Sequence, residues 1–439
     1  MSGRITPRRF LEQCIESIAA REPSVKAFVR LDVAGARASA DASTRRWKAG
    51  RARSAIDGFP IAVKDIIATA DMPTEMNSPI YKGWQPKSDA ACVIALRAAG
   101  AVIVGKTVTT EFAIGRSGPT TNPFDVRRTP GGSSSGSAAA VAAGMVSAGL
   151  GTQTVGSVLR PASYCGVVGF KPTIGALPTA GIHLLSTTFD HLGVIATSVE
   201  DVWRVAAQIS RWAGGSGCEG LAGASRGLPA ARRPRRLVVV HTRGWKEIDA
   251  ATRAAFNRAV DDIGRQGVEI VTRRTSRTLA DFEDHLERGI GGAADILAYD
   301  MRWPYGDYIA RFGRLVGPRV RELVVRGEAI DAADYEVLLH ERRRMQRVAA
   351  ACLARCDGLL TLASSGPAPR GLASTGSRTF ASYASWLGLP AMSLPMLSVS
   401  GLPVGLQLIG RAGDDARLCG IARWMMRVSA TRCDKEEVP

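Results

Sequence analysis

The sequence predicts an α/β layered fold, and three observations point there. Short apolar runs of strand length alternate with longer amphipathic stretches, the pattern of strands and helices stacked in layers. Hydrophobic residues make up 46% and charged residues 22% of the 439 positions, ordinary for a globular chain able to bury a large core. No repeat of solenoid type interrupts the alternation. No run approaches the roughly 18 apolar residues of a membrane span. The basic stretch from Met1 to Phe10 is followed by no apolar segment or small-residue cleavage site, so a cytoplasmic protein with no membrane partner is expected.

The elements follow in order. Residues 6–30 read as a helix through Phe10, Cys14, Ile15 and Ile18, and residues 33–50 as a second, rich in Ala and Arg. The runs at 59–63 and 101–104 read as strands, with a helical segment at 89–99 between them. Residues 129–137 form a Gly/Ser loop, 138–148 a small-residue helix, and 149–157 a second Gly/Ser/Thr loop. Composition at 213–234 turns to Gly, Ala, Ser, Arg and Pro, marking a linker or long surface loop. A strand at 237–240 opens a segment of Arg-rich amphipathic helices reaching 355, and apolar runs return at 359–362, 391–394 and 404–409.

The chain carries 57 Lys and Arg against 40 Asp and Glu, a net charge of +17. That balance raises nucleic acid as a partner, but the charges are dispersed and only nine of the 57 are lysines. The densest group, Arg232, Arg233, Arg235 and Arg236, surrounds Pro234 in an expected loop. Anionic substrates, or solubility alone, account better for the charge, and no nucleic acid is expected. Eight cysteines (14, 92, 165, 218, 352, 356, 419, 433) are scattered without a CxxC pair, which suits reduced thiols. Cys352 and Cys356 lie four apart in an apolar helical stretch without a nearby histidine, too few ligands for zinc, and no metal is expected.

Two familiar spacings mislead. Gly100 to Thr107 has the spacing of a phosphate-binding loop, but its interior Val102-Ile103-Val104 reads as strand and cannot curl its amides around an anion. Gly132-Ser133-Ser134-Ser135-Gly136 has the spacing of a nucleophile elbow, but Thr129-Pro130-Gly131 precedes it instead of a strand. None of His183, His191, His241, His285 and His340 sits in a context that marks a catalytic base.

A third constellation has stronger chemistry. Lys64 follows the apolar run Phe59-Pro60-Ile61-Ala62-Val63. A desolvated lysine falls from about 10.4 toward neutrality and can act as a base, whereas arginine keeps its proton. The alternative is a snorkelling or ion-paired lysine at a strand end. The stretch Gly151-Thr152-Gln153-Thr154-Val155-Gly156-Ser157-Val158-Leu159-Arg160-Pro161-Ala162 places Ser157 beside consecutive loop amides, which can stabilise charge developing on a carbonyl oxygen. Ser133, 24 residues earlier, could bridge Ser157 to Lys64. The alternative for Ser133 is a turn or helix-cap serine.

The Gly151 to Ala162 stretch, Thr129-Pro130-Gly131-Gly132-Ser133-Ser134-Ser135-Gly136-Ser137 with the small residues up to Gly144, and Cys165-Gly166-Val167-Val168-Gly169-Phe170-Lys171-Pro172-Thr173 together closely resemble the amidase signature. Further resemblance runs through residues 58–66 and 100–112, Asn122-Pro123-Phe124, Asp190-His191-Leu192-Gly193 and residues 401–410. It covers nearly the whole chain and is weakest in 210–355.

The resemblance implies an amidase-signature fold, a large mixed β-sheet sandwiched between α-helices, in one domain over 1–439. Its parts would be a core over 1–205, a variable helical cover over 206–355 near the substrate entrance, and a C-terminal part of the core over 356–439. It implies a Ser–cisSer–Lys triad at the matching positions: Lys64 as base, Ser133 as bridging serine after a cis peptide bond, and Ser157 as nucleophile. Amides of Thr154, Val155, Gly156 and Ser157 would form the oxyanion hole. The implied reaction is hydrolysis of a small amide to acid and ammonia through an acyl-enzyme, with no metal or organic cofactor, and a homodimer is the implied assembly.

Two positions bear on specificity. Val155 stands where the family commonly has glycine, and valine lacks glycine's freedom at positive φ, so a reshaped loop or narrowed acyl pocket is expected. Arg160 resembles an arginine that binds a substrate carboxylate in malonamidase-like members, a role suited to a guanidinium fork; the alternative is an arginine tying loop to core. Ser134 is taken as a further substrate contact. Two other functions stay open. One is the glutaminase subunit of a tRNA-dependent amidotransferase, which would give the positive charge a role. The other is a catalytically silent binding protein that keeps the fold.

Overall fold

The computed structural model describes residues 5–213, 220–221 and 223–436, the side chains from 430 onward excepted. Its strands are β1 Phe28–Leu31, β2 Pro60–Lys64, β3 Val102–Thr107, β4 Ala148–Gln153, β5 Val168–Lys171, β6 His191–Ala196, β7 Arg236–Val239, β8 Glu269–Val271, β9 Gly358–Leu362, β10 Ala391–Val399 and β11 Leu402–Ile409. They form one sheet in the order β1-β3-β2-β4-β6-β5-β10-β11-β9-β7-β8. The trios β3-β2-β4 and β9-β7-β8 run parallel, and every other neighbouring pair is antiparallel.

Side chains alternate across a strand, so a sheet covered on both faces buries two sets of residues. In β2, Ile61 and Val63 join a cluster with Leu150, Phe170, Val194 and Trp203. Ala62 joins a second with Val102, Val104, Ala139, Val158 and Ile195. All five residues of β2 are buried, which makes it a rigid mount for the lysine at its end.

The strands read from the sequence at 59–63, 101–104, 237–240, 359–362, 391–394 and 404–409 are present as β2, β3, β7, β9, β10 and β11. Two elements differ. The first helix, Pro7–Val25, is capped by Thr6 and stops where Lys26 turns left-handed with φ 53°. A left-handed residue ends a helix, so the chain enters β1 instead of staying helical to residue 30.

The second difference lies at the site. The small-residue helix spans Ser135–Ala142, and residues 148–153, which read as the end of a helix followed by loop, form β4 between β2 and β6. Packing explains the composition. A Cβ at Gly151 would lie 2.8 Å from Ser134 Oγ, and one at Gly136 would lie 2.2 Å from the Ala27 carbonyl oxygen and 2.5 Å from Val108 N. Glycine here permits close backbone approach rather than a turn.

The segment after β7 holds the helices Ala250–Arg265, Arg277–Gly289, Ala293–Phe312, Pro318–Glu328 and Ala332–Leu353, and it also lends β8 to the sheet edge. Of the expected linker at 213–234, residues 214–219 and 222 lie outside the described residues, as do Cys218 and the side chain of Cys433. Cys14, Cys92, Cys165, Cys352, Cys356 and Cys419 are free thiols. Among the described residues no helix is long and apolar enough to cross a membrane.

Candidate active site

Parallel pairing of Val63 with Leu150 carries β2 and β4 to a common edge. There the fully buried Lys64 Nζ donates to Ser133 Oγ at 2.7 Å and to Thr152 Oγ1 at 2.8 Å. Burial penalises the ammonium and lowers the Lys64 pKa to about 7, an effect opposed by the negative charge of Asp190. Desolvation pushes Asp190 itself up to about 6, even though Thr154 Oγ1 donates to it at 2.5 Å and Leu185 N at 2.6 Å. An amine that can lose its proton near neutral pH is thereby held against a serine hydroxyl.

Ser133 follows a cis peptide bond from Gly132, and its carbonyl accepts from Thr110 N at 3.3 Å. The Ser157 carbonyl accepts from Ser134 N at 3.2 Å, which joins the two serine loops. Ser133 and Ser157 line one cavity of about 560 Å³ together with Thr154, Val155 and Gly156. Among the described residues no hydrogen bond joins the two hydroxyls directly. Val158 N and Leu159 N donate to Gln153 Oε1 at 2.9 and 3.0 Å, fixing the loop from within. No acceptor stands on the amides of Val155, Gly156 or Ser157 among the described residues, so these donors are open to a ligand oxygen.

Arg160 is buried, 5% exposed, and lines the same cavity. One terminal nitrogen donates to the Gly132 carbonyl at 2.6 Å and to Thr375 Oγ1 at 3.0 Å, and the other to the Gly376 carbonyl at 3.2 Å. Its Nε is buried without a partner among the described residues, and burial lowers its pKa to about 10. Ser134 is placed differently from a substrate contact. It is fully buried, and its hydroxyl donates to the Thr152 carbonyl and accepts from Thr152 N, both at 3.3 Å, outside the cavity lining.

The phosphate-loop spacing at 100–107 resolves as structure. Residues 102–107 are β3, and the buried Lys106 donates to Thr74 Oγ1 at 2.5 Å and pairs with Asp65 at 3.2 Å. Among the described residues no group of three His, Cys, Asp or Glu side chains is placed to hold a metal ion. Sequence reasoning misses Thr152, Asp190, Arg319 and Arg378. The first two lie inside motifs already singled out, but nothing local marks a hydroxyl or carboxylate as a neighbour of Lys64. The arginines line the cavity from distant segments.

Comparison with known proteins agrees with this geometry. Residues 9–419 match the model of the family described as Amidase. The A-type subunit of the glutamyl-tRNA(Gln) amidotransferase of Anaeromyxobacter sp. (strain K) is 33% identical, the match covering 96% of this chain and 93% of that protein. The crystal structure of an amidase superposes with a TM-score of 0.83 at 30% identity, covering 97% of each chain. Native peptide amidase from Stenotrophomonas maltophilia superposes with a TM-score of 0.76 at 27% identity, covering 98% of this chain and 95% of that one. With the matched model spanning all eleven strands of the sheet and both serine loops, the chain belongs to the amidase family and is a hydrolase of amide carbon–nitrogen bonds.

Proposed function

We propose that this protein is a cytoplasmic, homodimeric amidase that converts a small, carboxylate-bearing amide to acid and ammonia through an acyl-enzyme on Ser157. The observation that carries the reading is the fully buried Lys64 amine 2.7 Å from Ser133 Oγ, in the wall of the cavity onto which Ser157 opens. In its neutral form the Lys64 lone pair takes the Ser133 proton while Ser133 Oγ takes that of Ser157. Ser157 Oγ then bonds to the amide carbon, and the charge on the carbonyl oxygen meets the open amides of the 154–157 loop. Collapse breaks the C–N bond as the relay returns a proton to nitrogen. Ammonia leaves, and water repeats the sequence to release the acid.

The positive charge of Arg160, Arg319 and Arg378 in the cavity lining supports the acidic substrate, since among the described residues that lining holds no Asp or Glu. Assaying ammonia release from a panel of small amides, with a fluorophosphonate probe for Ser157, tests the reading. Labelling and turnover that both disappear in Ser157→Ala are expected; retained turnover in that variant would refute the nucleophile. Failure of the probe to label wild type would favour a silent binding protein.

A second reading has one observation in its favour, the similarity to the A-type chain of the glutamyl-tRNA(Gln) amidotransferase. Under it, glutamine yields ammonia only when partner subunits are present, and the isolated chain leaves simple amides intact.

A further inference from the structure

Three arginines face the cavity, and they are not equivalent. Arg160 spends both terminal nitrogens on its own chain. Arg319, at the start of helix Pro318–Glu328, is paired with Glu322 at 2.6 Å. Arg378, in the loop between β9 and β10, has no ion pair and no side-chain hydrogen bond among the described residues. It is exposed to solvent in the cavity wall, where desolvation and Arg319 lower its pKa and Glu322 opposes them. Arg378 in turn lowers the pKa of Arg160. A guanidinium with no partner of its own among the described residues, facing a cavity beside a second arginine, is free to pair with an anionic ligand.

We infer that Arg378, with Arg319 beside it, forms a carboxylate subsite for a substrate that is anionic and carries no ammonium group: the monoamide of a short dicarboxylic acid. The inference rests on the amidase reading and assigns the residue that grips the acid. A guanidinium with all its donors unoccupied offers the bidentate fork a carboxylate needs. An amino-acid amide such as glutamine brings an ammonium as well, and among the described residues the cavity lining holds no Asp or Glu to receive it, the nearby Glu322 being paired with Arg319. Arg319 and Arg378 also border an adjoining pocket of about 150 Å³, walled by Val155, Leu297, Leu323 and Trp386. The acid end would sit at this junction, its carbon skeleton against the apolar wall.

Two measurements test the subsite. The first compares kcat/KM for the monoamides of malonate, succinate and glutarate with butyramide and glutamine. The second measures calorimetric binding of the three dicarboxylates to Ser157→Ala with and without Arg378→Met. At least one monoamide should exceed both butyramide and glutamine tenfold, and Arg378→Met should lower the anionic-to-neutral ratio at least tenfold, mainly through KM. Arg378→Lys should keep part of that ratio, a result that a misfolded loop would not produce. The tightest dicarboxylate should bind Ser157→Ala at least tenfold more strongly than the double variant, and less strongly as salt rises. Equal dicarboxylate affinity in the two proteins, or glutamine preferred over every monoamide, would overturn the subsite. Strong Arg378-dependent binding without turnover of any amide would overturn the amidase reading and leave the subsite standing.

Discussion

Replacing Lys64 by methionine keeps most of the side-chain volume and removes the amine, which separates the effect of its proton from the effect of packing. The pKa falls from 10.5 to about 7 on burial. At about 1.36 kcal/mol per pH unit, the folded chain disfavours the Lys64 ammonium by roughly 5 kcal/mol. Between pH 7 and 10.5 the unfolded chain binds more protons at this position than the folded one, so stability rises with pH there. The penalty is complete below pH 7 and gone above the unfolded value. The stability of Lys64→Met minus that of wild type should therefore shrink by about 1.4 kcal/mol per pH unit between pH 7 and 10, and stay level below 6. Lys171, also lowered to about 7 by burial, is present in both proteins and cancels. Urea unfolding of the pair at pH 6 to 10 reads the slope, whatever the methionine gains or loses in contacts. In wild type, kcat/KM should climb with pH and level off above about 7. A stability difference that ignores pH, or a catalytic limb near 10, would refute the buried neutral amine.

Ser157→Ala should lose fluorophosphonate labelling and cut turnover by on the order of 10⁴ or more, since the relay acts as a unit. Asp190→Asn removes the negative charge that holds the Lys64 pKa up, so the rising limb of kcat/KM should move to lower pH; movement to higher pH would contradict the assignment. Val155→Gly should preserve or raise turnover on small amides, and a tenfold loss would show that the β-branched wall is required. Gly136→Ala drives a methyl into the backbone of Ala27 and Val108, and should lower stability by about 1–3 kcal/mol in urea unfolding.

The convergence of Lys64 and Ser133 is legible in the sequence because a lysine among apolar residues is conspicuous in a chain with few lysines, and because both serine loops resemble a specific signature. The strand β4 is not legible. Its Gly149, Gly151 and Thr152 have the composition of a loop, and the reason for them, a helix pressed against the strand, exists only in three dimensions. The same limit hides Arg378. Its meaning depends on Ser157 and Arg319 facing it from other parts of the chain, and no local pattern in the 363–381 loop records that. Arg160 admits two readings in sequence, carboxylate grip or loop tie. The structure shows the loop tie directly, as bonds to Gly132, Thr375 and Gly376.

That tie bears on how such an enzyme can diversify. Arg160 pins the far rim of the chamber to the Gly132 carbonyl at two points only, while Ala373, Ser374, Ser377 and Arg378 on either side of the pin face the interior. Exchange of Thr375 would strip an acceptor from a buried cation, at roughly 1.5–3 kcal/mol for the lost bond. Exchange at the neighbouring positions leaves the anchorage whole. New tastes can therefore evolve on the rim one residue at a time, without loosening the amine and hydroxyls that do the chemistry.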